Sequence, residues 1–133
     1  LDIINEDIKP YTEADVIRRD KLLEKGNYND PVFRYARQFA SADIIVIAAP
    51  YWDLSFPSKL KVYIENIYAT GIVSRYGEDG RPVGMCKASK LYYVTTAGGP
   101  YEPRYSYDYF ATLARDYFGI GDTELVYKDM LDV

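Results

Sequence analysis

Two short apolar runs are the most prominent feature of the chain. Residues 44–49 read Ile-Ile-Val-Ile-Ala-Ala without alternation, and Lys90–Thr96 contains Leu-Tyr-Tyr-Val. Continuous apolar runs of this length are typical of parallel strands that are buried on both faces of a sheet. We therefore predict buried strands at residues 44–49 and Lys90–Thr96. Weaker apolar segments predict the end of a strand at Leu1–Asn5 and a last strand at Glu124–Tyr127.

The segments between these runs have the spacing and the terminal signals of helices. Thr12 can cap a helix that runs to Lys25, with Asp15 at the third helical position and Gly26 as the stop. Proline at a first helical position starts two further helices, and glycine after Phe118 ends a fourth. These three helices are predicted at Pro31 to about Ser41, Pro57 to about Ala69, and roughly Ser106 to Phe118.

Strands that alternate with helices predict an α/β fold with a parallel sheet and helices on both of its faces. The 133 residues suit a single domain, 1–133. The chain opens directly into an apolar segment and stops without an obvious closing helix. We therefore expect the domain to be incomplete at the N-terminus and at the C-terminus.

Composition excludes several classes of function. The net charge of −4 gives no basic surface for nucleic acid or for an anionic membrane, and no apolar run reaches the length of a membrane helix. The absence of histidine rules out Ser-His-Asp and Cys-His catalysis and makes a zinc site improbable. A single cysteine, Cys86, favours a reducing compartment and a cytoplasmic location. We therefore expect a cofactor, rather than a catalytic side chain, to carry any chemistry.

Two loops follow the predicted buried strands, at the sheet edge where open parallel sheets bind ligands. The first loop, Pro50–Pro57, places Tyr51 and Trp52 before a helix, where free backbone N–H groups and aromatic rings could hold a planar heterocycle. An equally compatible alternative is that the two aromatic residues only cover the end of the core. Both readings stay open on these residues alone.

The second loop, Thr95–Tyr101, contains Gly98 and Gly99, which let the backbone approach a ligand closely. Thr96 adds a hydroxyl group. Taken alone, a pair of glycines is more often an ordinary tight turn. Together, the two loops favour a ligand site, because both follow strands of the same predicted sheet.

Several motifs in one order give this chain a family resemblance. Pro50-Tyr51-Trp52-Asp53-Leu54 is followed by a helix with Leu-Lys-x-Tyr-Ile-Glu, a Gly-x-x-Ser-x-Tyr segment, a Gly-Arg-Pro-Val-Gly segment and the Gly-Gly loop. Residues 44–101 resemble the FMN-dependent NADH-azoreductase family, in which flavin-dependent quinone reductases are also found. The remaining residues match it more loosely.

The resemblance implies a flavodoxin-like fold that binds FMN and passes two electrons from NAD(P)H to quinones, azo compounds or similar small aromatic acceptors. It implies a homodimer with the active site at the interface. The residues implied to contact FMN are Pro50, Tyr51, Trp52, Asp53 and Leu54 along one edge of the isoalloxazine ring and Thr96, Ala97, Gly98 and Gly99 on its pyrimidine side. Arg75, Tyr76 and Tyr101 are expected in the substrate pocket.

The chain departs from the family pattern at several positions. Asp53 stands where the family often has Asn, and an ionised carboxylate donates no hydrogen bond, so we expect the backbone N–H to contact the flavin. Leu54 and Ser74 replace a usual Phe, and Ala97 replaces a usual Arg. The family's first strand and its Ser-rich phosphate loop have no counterpart here, which leads us to expect a longer natural protein.

Two other functions fit the same residues. One is a flavin-binding electron carrier without turnover, and the other is an interaction module of the same fold that has lost its cofactor. The mildly negative charge and the long segment at residues 71–88 favour an enzyme over a carrier. The missing phosphate loop keeps the cofactor-less module open.

Overall fold

The computed structural model describes residues 1–133 and contains a parallel sheet, a small hairpin and four α-helices. The strands are β1 (Ile44–Ala48), β2 (Ser74–Tyr76), β3 (Pro82–Gly84), β4 (Lys90–Thr96) and β5 (Thr123–Lys128). The helices are α1 (Glu13–Glu24), α2 (Arg34–Ser41), α3 (Ser58–Ile67) and α4 (Tyr107–Leu113), with short 3-10 turns at Ile3–Asn5, Pro31–Phe33 and Pro103–Tyr105.

Three strands form the main sheet in the order β1-β4-β5, and both pairs are parallel. Ile45 lies opposite Leu91, and Tyr93 lies opposite Leu125. β2 and β3 form a separate antiparallel hairpin. The parallel α/β architecture and the two principal strands predicted from the apolar runs are therefore confirmed.

The helix signals in the sequence act as expected. The side chain of Thr12 accepts the N–H of Asp15, and the Asp15 carboxylate accepts the N–H of Thr12, so the predicted capping box starts α1. α4 continues into a π-helical turn, Ala114–Phe118, that ends at Gly119 with a φ of 75°. A left-handed residue at this position favours glycine, which explains the stop.

The segment Leu1–Asn5 was predicted as the end of a strand, and this prediction is wrong. It forms a 3-10 turn in which Asn5 N–H donates to the Asp2 carbonyl and Glu6 N–H donates to the Ile3 carbonyl. These local bonds satisfy the backbone without a neighbouring strand, and the side chain of Ile4 is 77% exposed. An apolar segment of this length does not distinguish a strand from a turn that packs one edge on the core.

The sheet is covered on one face only within these residues. Ile45 and Ile47 are buried in the same core as Phe39, Leu60 and Phe110, whereas the alternate residues of β1 face outward. Residues 44–49 were predicted to be buried on both sides, with helices on both faces of the sheet. Within the described residues, helices cover only one face. The uncovered face carries Ile44, Val46, Ala48, Tyr92, Val94 and Val126.

The long segment at residues 71–88 folds as the β2–β3 hairpin and packs at the amino ends of the strands. Gly84 lies against Gly119, where the chain leaves the π-helical turn on its way to β5. Cys86 N–H then donates to the Phe118 carbonyl at 3.2 Å. No helix in the structure combines the length and the apolar character required to cross a membrane.

Candidate functional site

The loops that follow β1 and β4 meet at the carboxyl ends of the two strands, and this edge is called the rim. Tyr51 N–H donates to the Thr96 carbonyl at 3.4 Å, continuing the ladder in which Ala49 N–H donates to the Val94 carbonyl at 3.0 Å. The rings of Tyr51 and Tyr101 lie edge to face with centroids 4.9 Å apart. The prediction that both loops share one edge of the sheet is therefore confirmed.

The first loop closes as a tight two-residue turn. Trp52 and Ser55 exchange two backbone hydrogen bonds, of 3.1 and 2.9 Å. Asp53 and Leu54, between them, have φ values of 51° and 67°. Two successive residues of positive φ form the turn type that usually takes Asn or Gly, so a Leu here is strained. The Trp52 side chain is 58% exposed, which argues against the alternative that it only covers the core.

Four backbone N–H groups at the rim have no acceptor within the protein. They belong to Asp53 and Leu54 on the first loop and to Gly98 and Gly99 on the second. The Asp53 side chain forms no ion pair or hydrogen bond. The rim thus offers main-chain donors, the type of group that binds the carbonyl oxygens and ring nitrogens of a heterocycle.

Residues 129–132, called the C-terminal turn, also reach the rim, and the sequence pattern did not indicate them. Ala97 N–H donates to the Lys128 carbonyl at 3.0 Å, which extends the β4–β5 ladder into the second loop. Tyr101 N–H then donates to the Asp129 carboxylate at 3.1 Å. A signal did exist, because Glu124–Tyr127 was predicted as a strand and its end should reach the same edge.

A cluster of hydroxyl groups lies beneath the rim. The hydroxyls of Tyr101 and Ser106 share a hydrogen bond of 2.7 Å. The Tyr101 ring also packs on the Tyr127 ring, with centroids 5.1 Å apart. The hydroxyl groups of Tyr51, Tyr93 and Thr95 are buried without a hydrogen-bond partner. Burial raises the pKa of Tyr93 and of Tyr101, so both phenols are protonated at neutral pH.

Arg75 and Tyr76 do not reach the rim of their own chain. They lie on β2, whose hairpin packs at the amino ends of the strands, while the rim lies at the carboxyl ends. Both side chains are exposed. Of the residues expected in the substrate pocket, only Tyr101 therefore lies beside the cofactor loops of the same chain.

Cys86 lies away from the rim in a half-buried position. Its thiol donates to the Val73 carbonyl at 3.6 Å, and burial raises its pKa to about 12. The group is therefore a protonated thiol at neutral pH, which does not suit a nucleophile.

A groove of about 700 Å³ runs along α4 and the segments on either side of it, next to the first loop. Ser55 borders it, and the Ser55 hydroxyl donates to the Tyr105 carbonyl at 2.7 Å. The groove is lined by Ser55, Phe56, Lys61, Arg104, Tyr105, Asp108, Tyr109, Thr112, Leu113 and Tyr117.

A parallel sheet with unpaired backbone donors beyond the carboxyl ends of neighbouring strands defines a ligand-binding α/β protein of the flavodoxin type. A family model described as flavodoxin-like fold matches residues 1–131, and the chain belongs to this family. The resemblance predicted from the motifs is thereby confirmed.

The relatives of the chain carry the more particular description. An FMN-dependent NADH:quinone oxidoreductase of Clostridium perfringens is 36% identical over 135 residues, which cover 100% of this chain and 68% of the relative. A second protein of that name, from Clostridium acetobutylicum, is 37% identical over 139 residues with the same two shares. The crystal structure of an azoreductase from Bacillus anthracis superposes with a TM-score of 0.79 at 26% identity, over 99% of this chain and 69% of that one.

Proposed function

We propose that this protein is an FMN-dependent oxidoreductase that takes two electrons from NADH and passes them to quinones or similar flat aromatic acceptors. The observation that carries this proposal is the set of four unpaired N–H groups, on Asp53, Leu54, Gly98 and Gly99, at the rim. The names of the clostridial relatives support the same reaction. Azo compounds are included as acceptors because the Bacillus anthracis neighbour is an azoreductase.

The residues present fit the ring system of FMN. An isoalloxazine has carbonyl oxygens and ring nitrogens along one side, and these accept hydrogen bonds from main-chain donors. We propose that Asp53 and Leu54 hold one part of this edge, with Pro50 and Tyr51 setting the direction of the loop. Thr96, Gly98 and Gly99 hold the pyrimidine side, and the exposed Trp52 ring lies against the ring system. Ala97, which was expected to contact FMN, is buried with both its N–H and its carbonyl paired inside the protein, so it supports the loop instead.

FMN, when bound, supplies the hydride chemistry that amino-acid side chains lack. The protein positions the ring and excludes water from one side through Tyr51 and Tyr101, and burial raises the pKa of Tyr101, so this phenol stays protonated. No side chain is required as an essential acid or base. The phosphate group is not assigned to any of the residues described, since the free donors at the rim serve the ring.

We further propose that the active protein is a homodimer in which a second copy completes the substrate pocket. Arg75 and Tyr76 lie on the hairpin at the amino ends of the main-sheet strands, away from the rim of their own chain, so a second copy is needed to bring them to a rim. The aromatic groove that begins at Ser55 offers a surface beside the first loop. A location in the cytoplasm, as the single Cys86 suggests, remains a prediction.

Titration with FMN followed by an NADH assay tests the proposal. The protein should quench the fluorescence of added FMN at a stoichiometry of one per chain and should oxidise NADH when menadione is added. A control without menadione separates acceptor reduction from slow oxidation by oxygen. Protein that is folded by circular dichroism and leaves FMN fluorescence unchanged would contradict the proposal and favour the cofactor-less module. A bound flavin that stabilises the one-electron form without NADH turnover would favour the carrier.

A further inference from the structure

The C-terminal turn binds three successive carbonyls of the second loop, those of Ala97, Gly98 and Gly99. Met130 N–H donates to the Gly99 carbonyl at 3.1 Å, Leu131 N–H to the Ala97 carbonyl at 3.3 Å, and Asp132 N–H to the Gly98 carbonyl at 3.0 Å. Since these three carbonyls are paired inside the protein, Gly98 and Gly99 present only their backbone N–H groups to a ligand. The turn therefore fixes which backbone groups of the second loop are available for a ligand.

The side chain of Asp132 lies directly against Gly98. A Cβ placed on Gly98 would stand 2.1 Å from Asp132 Oδ2 and 2.9 Å from its Cγ, so any other residue at this position would displace the carboxylate. The φ of Gly98 is not in the left-handed region, which means that backbone conformation does not demand glycine there. The close approach of the carboxylate is the reason for glycine at this position.

Two uncompensated negative charges thus border the rim. Asp129 accepts the Tyr101 N–H, and Asp132 packs on Gly98, but neither carboxylate pairs with a Lys or Arg. Asp132 is exposed to solvent, and its effect on the rim comes from its closeness to Gly98. A charge in this position acts on whatever binds to the Gly98 amide.

Backbone strain marks the same place. The only residues other than glycine with positive φ are Asp53 and Leu54 on the first loop and Met130, at 57°, in the C-terminal turn. Strained residues of this kind persist where the surrounding structure over-determines them, which is common at ligand sites. All three lie in segments that border the rim and nowhere else in the chain.

We propose that the C-terminal turn is the third wall of the FMN site and that Asp129 and Asp132 are positioning residues whose charge favours the oxidised over the reduced cofactor. This inference rests on the proposed function. Reduction of FMN takes up two electrons and one proton and leaves one additional negative charge on the ring system. The two carboxylates repel that charge, so the reduction potential falls and the passage of electrons to an acceptor is favoured.

The test compares Asp129→Asn and Asp132→Asn with the wild type. Each substitution removes a charge and nearly keeps the size of the side chain, and Asn at position 129 keeps an oxygen that can accept the Tyr101 N–H. We expect the dissociation constant of reduced FMN, relative to that of oxidised FMN, to fall about tenfold in each variant, which for a two-electron couple is a rise in midpoint potential of about 30 mV. Glu24→Gln, which removes an exposed and unpaired acid at the end of α1, is the matched control and should leave the ratio unchanged.

The contact itself is tested without cofactor. Gly98→Ala should lower the urea midpoint of the cofactor-free protein, and Asp132→Gly in the same chain should recover at least half of that loss. The inference would be overturned if both Asn variants bind FMN and keep the wild-type ratio of the two dissociation constants. That result would leave the proposed function standing. Failure of every variant and of the wild type to bind FMN would overturn both.

Discussion

The Ser55 hydroxyl donates a 2.7 Å hydrogen bond to the Tyr105 carbonyl and joins the strained turn of the first loop to the segment that precedes α4. The two residues are 50 positions apart in sequence. The bond acts together with the neighbouring Phe56 ring, which packs on Phe110 of α4 with centroids 5.1 Å apart. It is a long-range contact at the border of the candidate cofactor site.

Replacement of Ser55 by Ala should reduce the free energy of unfolding by about 1 kcal/mol, because the Tyr105 carbonyl loses its donor. It should also weaken FMN binding several-fold, since the turn that presents the Asp53 and Leu54 amides becomes less ordered. Urea denaturation and FMN fluorescence measure the two effects. Ser55→Thr keeps the donor and should recover most of both. Ser41→Ala, which removes a local surface bond to Gln38, is the matched control and should change neither.

Replacement of Leu54 should change stability in the opposite direction to replacement of Ser55. The φ of 67° at Leu54 is unfavourable for any side chain, and its side chain is 57% exposed, so little packing is lost on removal. Leu54→Gly should therefore raise the free energy of unfolding by about 1 kcal/mol. If the strain serves to hold the amide outward, the same change should weaken FMN binding.

Leu131→Gly is the control for this comparison. Leu131 is a similarly exposed leucine, at 54%, but its φ lies outside the left-handed region. Glycine at this position should destabilise the protein by a few tenths to about 1 kcal/mol. Equal effects of the two substitutions on the urea midpoint would show that the strain at Leu54 carries no energetic cost.

Gly84 tests how the β2–β3 hairpin is attached. A Cβ at this position would stand 2.0 Å from the Gly119 backbone N and 2.2 Å from the Phe118 backbone C, and backbone cannot move aside as a side chain can. Gly84→Ala should cost about 3 kcal/mol, measured by thermal or urea unfolding. Gly121→Ala meets no atom within 4 Å and should change stability little. A neutral Gly84→Ala would show that the hairpin can detach without affecting the core.

Much of the fold could be predicted because its signals are local. The Thr12–Asp15 capping box, Pro31 and Gly119 each determine a helix end from within a few residues. The strands at residues 44–49 and Lys90–Thr96 are recognisable because an unbroken apolar run has few other uses. It could not be predicted that helices cover only one face of β1. Apolar residues indicate that a face can be buried but not which segment covers it.

The sequence predicts which two loops form the site, but not their conformation or the contact with the C-terminal turn. Strand ends identify the loops, and Gly98 with Gly99 marks a close approach. The pairing of Trp52 with Ser55 forces Leu54 into a conformation that its residue type disfavours, so propensity points away from the observed turn. The contact of Asp132 with Gly98 depends on the path of the chain after β5, which no local pattern encodes.

Alkaline pH should destabilise the protein in a defined window. Burial raises the pKa of the Cys86 thiol from 9.0 to about 12 and that of Tyr63 from 10.0 to about 12. Both groups are protonated in the folded and unfolded states below about pH 9, so their contribution is then constant. Between about pH 9 and about pH 12 the unfolded chain releases protons that the folded protein keeps, and the free energy of unfolding falls as the pH rises.

Urea denaturation at several pH values checks this window and separates the two groups. Cys86→Ala should remove the part of the slope that begins near pH 9. Tyr63→Phe should reduce the part that begins near pH 10, to which other buried tyrosines such as Tyr93 also contribute. The Cys86 thiol should also react with a disulfide reagent at neutral pH far more slowly in the folded protein than in urea, because the thiolate is the reacting species. A folded protein whose thiol reacts as fast as that of the unfolded chain would contradict the raised pKa, since a protonated, half-buried thiol cannot match a free one.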